Sequence, residues 1–455
     1  MSDHRNMILA IVLSAIVLFG WSFISDRYFP TASEPSTKIV EGKQVPIPQP
    51  DEDPTADAPP AVRSRATVLA ETPRIAIETP RLEGSINLPG ARIDDLVLTD
   101  YRQSLAEDSP FIRLLSPSGS PQAYFASFGW TGEGLTLPDA NTVWTPSGTR
   151  LAPGSPVTLS WNNGQGQRFD IRLSVDEGYM FTANQTVTNT GTGAVAARPY
   201  ALISRAEESE DPDSWTMHVG PIGVFNEAAN YDWSYEDIVE EGDQRFASTG
   251  GWLGFSDKYW LTALVPPPSA DISAAFRRGA NGGFQANYTV EPTIVAAGKA
   301  ITHESRLFAG TKEVELLDHY EDDLGVTMFD KAIDWGWFEW FMKPIFALLN
   351  WLFAQLGNFG FAIIVLTLIV RLLLFPIAQK QFKSMAAMRA VQPKMKALQD
   401  KHKDDKPRLQ QEMLKLYQEE KVNPMAGCLP ILLQIPIFYA LYKVLMLAVE
   451  MRHEP

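Results

Sequence analysis

The sequence predicts a multidomain membrane protein in which an exported all-β domain is joined to transmembrane helices and a helical hairpin. Three observations support this fold class. Residues Phe359–Gln379 form an apolar run, and about twenty residues at about 1.5 Å each cross the hydrocarbon core of a bilayer. Residues 67–320 contain many short segments that alternate apolar and polar side chains, a pattern typical of strands. The net charge of the 455-residue chain, −15, is distributed very unevenly.

The charge distribution predicts the orientation of the chain. Residues 378–425 contain 11 Lys and Arg and 6 Asp and Glu, whereas residues 26–345 contain 24 basic and 45 acidic side chains. Short basic segments beside membrane spans stay in the cytoplasm, so we expect 378–425 to be cytoplasmic and the acidic region to be exported. Cys428 is the only cysteine, so the exported domain must be stabilised by its hydrophobic core rather than by internal disulfides.

Residues 1–28 are predicted to be an N-terminal signal-anchor span with a cytoplasmic N-terminus. Its apolar part, Met7–Ile24, follows Arg5, and no small-residue cleavage site precedes Asp26. Residues 29–66 are rich in proline and acidic residues (PIPQPDEDPTADAPP) and have almost no apolar period. This composition predicts a disordered or polyproline-like linker.

Residues 67–325 are predicted to form a β-sandwich with little helix. The clearest strand is Arg168–Val175, in which four apolar residues alternate with four polar ones. Many short strands punctuated by Gly, Pro and Asn are typical of a sandwich. Further strands are predicted at Val157–Trp161, Tyr179–Thr188, Ala201–Ser204, Trp260–Val265 and Ser305–Ala309.

The β region contains no recognisable catalytic motif. Its histidines, His218, His303 and His319, have no metal-ligand spacing, and nucleotide-binding or Ser-nucleophile motifs are absent from the sequence. We therefore predict no cofactor and no metal. An aromatic set could line a cleft for sugar or peptide, although sandwich core is the favoured interpretation. Its members are Trp215, Tyr231, Trp233 and Tyr235.

Residues 330–354 are predicted to be an amphipathic helix in the membrane interface. The segment is crowded with tryptophan and phenylalanine but also carries Asp334, Glu339 and Lys343. The alternative is that it enters the bilayer as two short helices separated by Pro344.

The second span is predicted at 357–379, and its unusual feature is Arg371. A guanidinium in an apolar span costs about 2.5–3.5 kcal/mol on the insertion scale, so it marks a functional site by default. Thr367 lies four residues earlier on the same helix face, which Ile364 and Gly360 extend. The alternative is that Arg371 only marks the cytoplasmic end of the span and extends to the headgroups.

Residues 380–422 are predicted to form an antiparallel helical hairpin in the cytoplasm, with Pro393 kinking or restarting its first helix. Apolar residues recur every three or four positions on both helices. Methionines give an adaptable apolar surface, so we predict partner binding, although a hairpin that only fixes topology is a competing interpretation. The methionines concerned are Met385, Met388, Met395 and Met413.

The third span is predicted at 425–449, followed at 450–455 by the start of a periplasmic loop. Pro430 and Pro436 interrupt the span, and Gln434 between them is expected to be a buried amide that bonds another helix or faces a polar cavity. Lys443 is expected to extend outward to the headgroups.

Taken together, these segments resemble the YidC-type membrane protein insertases of Gram-negative bacteria. The match is most specific in VRLLLFPIAQKQFKSMAAMRAVQPKM (370–395) and NPMAGCLPILLQIPIFYALYK (423–443), and the order of the segments supports it. The resemblance implies a fold of an exported all-β supersandwich, α-helical transmembrane spans and a cytoplasmic helical hairpin, in the inner membrane.

The resemblance also implies a function: insertion, folding and assembly of inner-membrane proteins through a hydrophilic groove, without enzymatic activity. Arg371 occupies the position of the groove arginine, with Thr367 and Gln434 at polar positions of the groove. The implied partners are nascent membrane proteins, the Sec translocon, the ribosome and signal recognition particle system, and the lipid bilayer, with no direct contact to nucleic acid. The family continues through three more spans, so we expect a C-terminally truncated chain at Pro455.

Two other functions remain open from the sequence. The first is a membrane-anchored periplasmic carbohydrate-active or carbohydrate-binding protein, which requires a cleft with convergent carboxylates in the β domain. The second is a transporter that uses Arg371 in a pathway. A transporter needs polar groups through the whole membrane depth, and Phe361–Leu366 contains none.

Overall fold

The structure is a computed structural model of the 455-residue chain. It describes residues 39–40, 43–44, 62–106, 108–132, 135–211, 216–279, 282–402, 406–420 and 429–452. The predicted signal anchor, residues 1–28, lies outside the described residues. The chain divides into a β unit that ends at Asp334 and a helical unit that begins at Trp335.

The described residues contain 22 strands. In chain order they are β1 (Ile39–Val40), β2 (Lys43–Gln44), β3 (Arg74–Glu78), β4 (Leu82–Asn87), β5 (Arg92–Arg102), β6 (Phe111–Leu115), β7 (Tyr124–Thr131), β8 (Thr145–Pro146), β9 (Arg150–Leu151), β10 (Val157–Asn162), β11 (Gln167–Val175), β12 (Met180–Asn189), β13 (Val195–Arg205), β14 (Gly220–Phe225), β15 (Ala228–Asn230), β16 (Gln244–Thr249), β17 (Trp252–Ser256), β18 (Trp260–Val265), β19 (Asp271–Arg278), β20 (Phe284–Val290), β21 (Thr293–Val295) and β22 (Lys299–Thr311).

The strands of the β unit form two large sheets. The nine-stranded sheet has the order β15-β14-β17-β18-β22-β12-β11-β10-β8, and the eleven-stranded sheet has the order β16-β19-β20-β13-β7-β5-β4-β3-β9 with β21 and β6 paired to β13 and β5. Described pairs are antiparallel except for β3 with β9. The inward-facing side chains of the two sheets form one core, so the β-sandwich prediction is confirmed.

The alternating pattern read from the sequence places the strands correctly. In β11 the buried side chains are Gln167, Phe169, Ile171, Leu173 and Val175, and the residues between them point outward. This period-2 alternation puts one face against the core and the other toward solvent. The other predicted strands coincide with β10, β12, β13, β18 and β22.

A buried polar connection links the two sheets at the centre of the core. Gln185 of β12 donates to the carbonyl oxygen of Gly129 on β7 at 2.7 Å. Its side-chain oxygen accepts from the Ser305 hydroxyl at 3.0 Å, and the Tyr288 hydroxyl lies 2.8 Å from that of Ser305. Buried polar groups are tolerated only when they are paired, and this connection pairs them across the sandwich.

The described helices are mostly in the second half of the chain. They are α1 (Arg65–Glu71), α2 (Tyr235–Glu241), α3 (Val314–Leu324), α4 (Glu339–Leu356), α5 (Phe359–Lys401), α6 (Lys406–Glu419) and α7 (Leu429–Leu447), with 3-10 turns at Phe329–Ala332, Gly336–Phe338 and Val449–Met451. Local signals set their ends: Ser234 and Asp237 form a capping box on α2, and Gly325 ends α3 at a φ of 67°.

Two sequence interpretations of the β unit need adjustment. Within the predicted linker, residues 29–66, Ile39–Val40 pairs with Lys43–Gln44, and the β-branched Ile39 and Val40 favour a strand. The linker as a whole stays a prediction. The aromatic set joins the core through Tyr235, which is buried beside Phe255. Tyr231 and Trp233 are half-buried, and Trp215 lies outside the described residues.

A lysine is buried near the C-terminal end of β22. Lys312 is 4% exposed, and its Nζ donates to the Ser256 hydroxyl at 2.9 Å. Burial lowers the pKa of Lys312 to about 8, although the carboxylates of Asp257, Asp334 and Asp211 raise it. Burial disfavours the charged form of a base, and nearby carboxylates favour it.

We predict that Gln185→Leu destabilises the β unit. The substitution removes the side-chain donor to the Gly129 carbonyl and the acceptor of the Ser305 hydroxyl in the core, which costs about 1–3 kcal/mol. Denaturation of the full chain in detergent, followed by tryptophan fluorescence, measures the loss. Thr186→Val, on the same strand but in an exposed hydroxyl pair with Thr302, is the control and is expected to change stability by less than about 0.5 kcal/mol. Equal losses for both variants would contradict the role of Gln185.

We predict a contribution of Lys312 to stability that depends on pH. The pKa of Lys312 is about 8 in the folded chain and 10.5 ordinarily, so the unfolded chain binds the proton more tightly. The free energy of unfolding therefore rises between these pH values, by at most about 1.4 kcal/mol per pH unit. The measurement is denaturation of wild type and Lys312→Met at about pH 7.5 and 9.5. Lys299→Met, exposed at the start of β22, is the control and should keep the rise that Lys312→Met loses.

Candidate functional site: the apolar helices and the helical hairpin

The helical unit begins with two helices joined by a tight connection. Gly357 ends α4 at a φ of 64°, a left-handed conformation that glycine adopts without strain. Asn358 then caps α5, and its side chain accepts from the Phe361 amide at 3.0 Å. Phe353 and Phe359 lie on either side of this connection, and their rings stack with centroids 3.8 Å apart. These local signals place α4 and α5 against one another.

The N-terminal half of α5 is the described helix that is long and apolar enough to cross a membrane. The candidate span is Phe359–Gln379, 21 residues. The part of α7 from Gln434 to Leu447 is a shorter apolar helix. One face of the span packs against protein through Phe359, Ala362 and Leu366. Apolar residues at this helical spacing form the stripe by which a helix packs on its neighbours.

Arg371 and Thr367 lie on another face of α5, which points outward. Arg371 is exposed, as are Gly360 and Ile364 on the same stripe. Thr367 is half-buried and donates its hydroxyl to the Ile363 carbonyl at 2.8 Å, a bond back into its own helix. Among the residues that the structure describes, none pairs with the Arg371 guanidinium, which stands on a surface of apolar side chains.

The helix α7 differs from the prediction at both of its polar residues. Gln434, expected to be a buried amide, is exposed. Lys443, expected to extend outward, is 1% exposed. The reason is helical spacing: Lys443 shares a face with Ala440, Val444 and Leu447, which are all buried in the helical unit.

The aromatic segment before the span is a single helix over part of its predicted range. The prediction gave 330–354, whereas α4 is Glu339–Leu356 and follows two 3-10 turns. The alternative of a break at Pro344 is wrong, because Pro344 lies within α4, only five residues from its start. The proline ring removes only the hydrogen bond that an amide at position 344 would donate to the Trp340 carbonyl, and the helix continues past it. One face of α4 is buried through Met342, Phe346, Leu349 and Leu352, while Trp340 and Trp351 are exposed.

The C-terminal half of α5 pairs with α6. Val391 and Leu416 are buried together, and Ala387, Met395 and Leu398 pack around them. Lys394 forms an ion pair with Glu420, and the Tyr417 hydroxyl lies 3.8 Å from the Met395 sulfur. Of the two predicted effects of Pro393, a restart of the helix is wrong, since α5 continues through it to Lys401, and a kink stays a prediction. Packing of the adjacent Val391 against α6 offsets the bond that proline removes.

The candidate site residues are therefore divided between several surfaces. Thr367 and Arg371 share one face of α5, and Gln434 is exposed on α7. Met395 and Met413 are half-buried, and Met395 is used within the hairpin itself. Met385 and Met388 belong to α5, but their side chains lie outside the described residues. The ion pair of Lys394 and Glu420 was not predicted from the sequence. Its only sequence signal is that the two predicted helices carry opposite charges at these positions.

Two family models match the chain over its two units. The model of the YidC periplasmic domain matches residues 74–348. The model described as the 60Kd inner membrane protein matches residues 351–455. The first covers most of the β unit and the second covers α5, α6 and α7.

The chain is also similar to individual proteins. The membrane protein insertase YidC of Zymomonas mobilis is 47% identical over the whole chain, which spans 78% of that relative. A crystal structure of an active YidC insertase is 18% identical with a TM-score of 0.30, covering 97% of this chain and 80% of that one. A galactose mutarotase-related enzyme from Lactobacillus acidophilus covers 52% of this chain and 97% of its own, with 9% identity and a TM-score of 0.36.

We predict that Leu416→Ala loosens the pairing of α5 and α6. Leu416 is one of two buried side chains in their contact, and losing its burial costs about 1.5 kcal/mol or more, a tenfold change in an equilibrium. Hydrogen exchange of the full chain should therefore show about tenfold lower protection of the α6 amides. Leu414→Ala, exposed on the same helix, is the matched control and should leave protection unchanged. Unchanged protection in Leu416→Ala would contradict the pairing.

Proposed function

The chain belongs to the YidC family of membrane protein insertases, and we propose that it receives its clients along the face of α5 that carries Thr367 and Arg371. The membership agrees with the resemblance read from the sequence. The observation that carries the proposal is the position of Arg371: an exposed guanidinium in the 21-residue apolar part of α5, surrounded by apolar side chains.

Electrostatics gives this cation a role in insertion. A client that enters the membrane must bring its extramembrane tail across hydrocarbon, and an unpaired carboxylate there is very costly. A guanidinium keeps its charge in proteins and binds carboxylates through two parallel hydrogen bonds. Arg371 therefore lowers the free-energy cost of moving an acidic tail through the membrane. The attraction between its guanidinium and a carboxylate grows as water is excluded.

The apolar side chains beside Arg371 suit the membrane segment of the same client. Leu368, Leu372 and Phe375 are exposed on α5. At membrane depth, exposed apolar side chains pack equally well on lipid or on another apolar helix, because lipid tails are as apolar as leucine. We infer that the polar tail contacts Arg371 while the apolar segment lies against these residues and leaves sideways into lipid.

Thr367 and Gln434 supply weaker polar contacts along the proposed groove. The Thr367 hydroxyl already donates to Ile363, so toward a client it acts as an acceptor. Gln434, exposed on α7, has both a donor and an acceptor. An exposed amide in an apolar helix gains a partner when a client backbone or side chain passes it.

We propose that the hairpin of α5 and α6 contacts partners in the cytoplasm. Phe382 and Leu414 are exposed apolar residues on its surface, and the half-buried Met413 adds a flexible side chain. The partners we propose are nascent membrane proteins, the ribosome with the signal recognition particle, and the Sec translocon. Chaperone activity toward released clients follows from the same apolar surfaces.

The proposed topology places the basic hairpin in the cytoplasm and the β unit in the periplasm. The excess of Lys and Arg in 378–425 supports this orientation, as does the family model of a periplasmic domain over residues 74–348. The exposed Trp340 and Trp351 of α4 support an interfacial position for that helix. The two large sheets are compatible with a supersandwich.

We predict that Arg371→Ala strongly reduces insertion of a small client with an acidic translocated tail. Loss of one charge-assisted contact is worth about 1.5–3 kcal/mol, or about 10- to 100-fold. Arg371→Lys should keep most activity because it keeps the charge. The assay is protease protection of the client tail in cells depleted of their own insertase. The cells are complemented with this chain fused to the part of the Zymomonas mobilis relative that it does not cover.

Two controls make this test specific. Arg389→Ala, exposed on the same helix outside the apolar run, should insert the client normally. A client with a neutral tail should be inserted equally by wild type and Arg371→Ala. If Arg371→Ala inserts the acidic client as well as wild type, the cation is only a topology marker and the proposal fails.

A further inference from the structure

The apolar span of α5 contains a proline that interrupts its backbone hydrogen bonds. Pro376 lies inside α5 and within the candidate span Phe359–Gln379. Proline has no amide proton, so position 376 cannot donate the helical hydrogen bond to the carbonyl oxygen of Leu372. The Leu372 carbonyl is therefore an acceptor that the helix leaves without its regular donor.

No side chain supplies this donor among the residues that the structure describes. The span contains three side chains that can donate, those of Thr367, Arg371 and Gln379. The Thr367 hydroxyl donates to the Ile363 carbonyl at 2.8 Å instead. The side chain of Leu372 is 75% exposed, and Pro376 is exposed as well. A helical carbonyl points toward the residue four positions later, so this acceptor opens on an exposed surface of α5.

The depth of the Leu372 carbonyl in the span gives it a role. Leu372 follows Arg371 directly, and about 10 Å of helix separates it from Gln379, the last residue of the span. Hydrocarbon contains no water, and an unpaired carbonyl there is costly. Prolines are tolerated in membrane helices where a neighbouring helix, a hydroxyl side chain or water pairs the freed carbonyl. The Leu372 carbonyl therefore requires a donor from outside α5.

The other proline inside α5 frees a carbonyl in different surroundings. Pro393 removes the donor to the Arg389 carbonyl. Both residues are exposed in the basic half of α5, where water pairs such a carbonyl at little cost. Pro393 therefore has the same backbone chemistry as Pro376 outside the apolar run.

We propose that the Leu372 carbonyl accepts a hydrogen bond from a backbone amide of the client while the client crosses the membrane. This inference rests on the proposed function, in which the client passes the face of α5 that carries Arg371. A client segment that has not yet formed its helix has unpaired amide N–H groups, which are costly in hydrocarbon. The carbonyl pairs one of them whatever the sequence or charge of the client, because every residue except proline has this amide proton.

The carbonyl complements the guanidinium beside it. The Arg371 side chain has only donors, whereas a peptide unit of the client has one N–H donor and one carbonyl acceptor. Leu372 supplies the acceptor that Arg371 lacks. Pro376 is a positioning residue, because it acts through the Leu372 carbonyl and not through a contact of its own ring with the client.

Restoring the amide proton at position 376 tests the proposal. In the insertion assay described above, Pro376→Ala should lower insertion of the acidic-tailed and the neutral-tailed client about 2- to 10-fold, the effect of one hydrogen bond. Alanine favours the helix, so hydrogen exchange should show a protected amide at position 376 and no unfolding. Pro393→Ala is the matched control and should insert both clients normally. Normal insertion by Pro376→Ala would overturn the proposal.

A glycine variant separates the carbonyl from flexibility of the helix. Glycine restores the amide proton but leaves the backbone flexible. If the carbonyl is the functional group, Pro376→Gly lowers insertion as Pro376→Ala does. If Pro376→Gly inserts both clients normally and Pro376→Ala does not, the proline acts as a hinge and the proposal is wrong.

Proline substitutions in the client identify the donor. Placed one at a time in the neutral-tailed client, each removes one amide proton. At one or more positions the substitution should lower insertion by wild type at least about threefold more than insertion by Pro376→Ala, because both changes remove the same hydrogen bond. Equal effects at every position would mean that the carbonyl binds water or another helix, and would contradict the proposal.

The assay also distinguishes this inference from the proposal for Arg371. Arg371→Ala should affect only the acidic-tailed client, whereas Pro376→Ala should affect both clients. Normal insertion by Arg371→Ala together with reduced insertion by Pro376→Ala contradicts the role of the cation and supports that of the carbonyl. The reverse result overturns the role of the carbonyl alone.

Discussion

The helical unit depends on one constraint: hydrocarbon offers no hydrogen-bond partner to a charged side chain. The apolar span of α5 carries Arg371 and α7 carries Lys443, and the fold treats these two cations differently. Lys443 is buried on the packed face of α7, whereas Arg371 is exposed on the outward face of α5. A buried cation is held by the protein around it, but an exposed one requires a partner from outside. In the function that we propose, Arg371, and not Lys443, is therefore the cation that a client reaches.

The length of α5 connects Arg371 to the hairpin. One helix of 43 residues carries both Arg371 and the hairpin contact at Val391, and these residues are about 30 Å apart at 1.5 Å per residue. Hydrocarbon accommodates only the first half, so the charged second half extends beyond it. One helix, with Pro376 between the two sites, therefore carries both Arg371 and the hairpin contact.

Alternation predicted the strands and a continuous apolar run predicted the apolar helix, since both are local features of the sequence. The boundaries of α4 and the burial of Lys443 could not be predicted, because they depend on which helix faces meet. The same limit applies to Thr367 and Arg371: their spacing shows that they share a face, but only packing at Phe359, Ala362 and Leu366 shows that this face points outward. Long-range contacts decide such orientations, and a single sequence does not encode them in a local pattern.

A cavity of about 520 Å³ on the outer face of the eleven-stranded sheet meets the core of the β unit at one cross-strand pair. Gly129 and Tyr200 are opposite each other on β7 and β13, and the Gln185 amide donates to both of their carbonyls, at 2.7 and 3.4 Å. On the other side of the sheet, the missing side chain of Gly129 admits the Tyr200 ring. A buried amide from the opposite sheet thus fixes the backbone beneath the Tyr200 ring, which lines the cavity. Any residue larger than glycine at 129 would displace the Tyr200 ring but would leave its carbonyl free to accept the hydrogen bond from Gln185. The shape of the cavity and the stability of the core are therefore set by different atoms of the same residue.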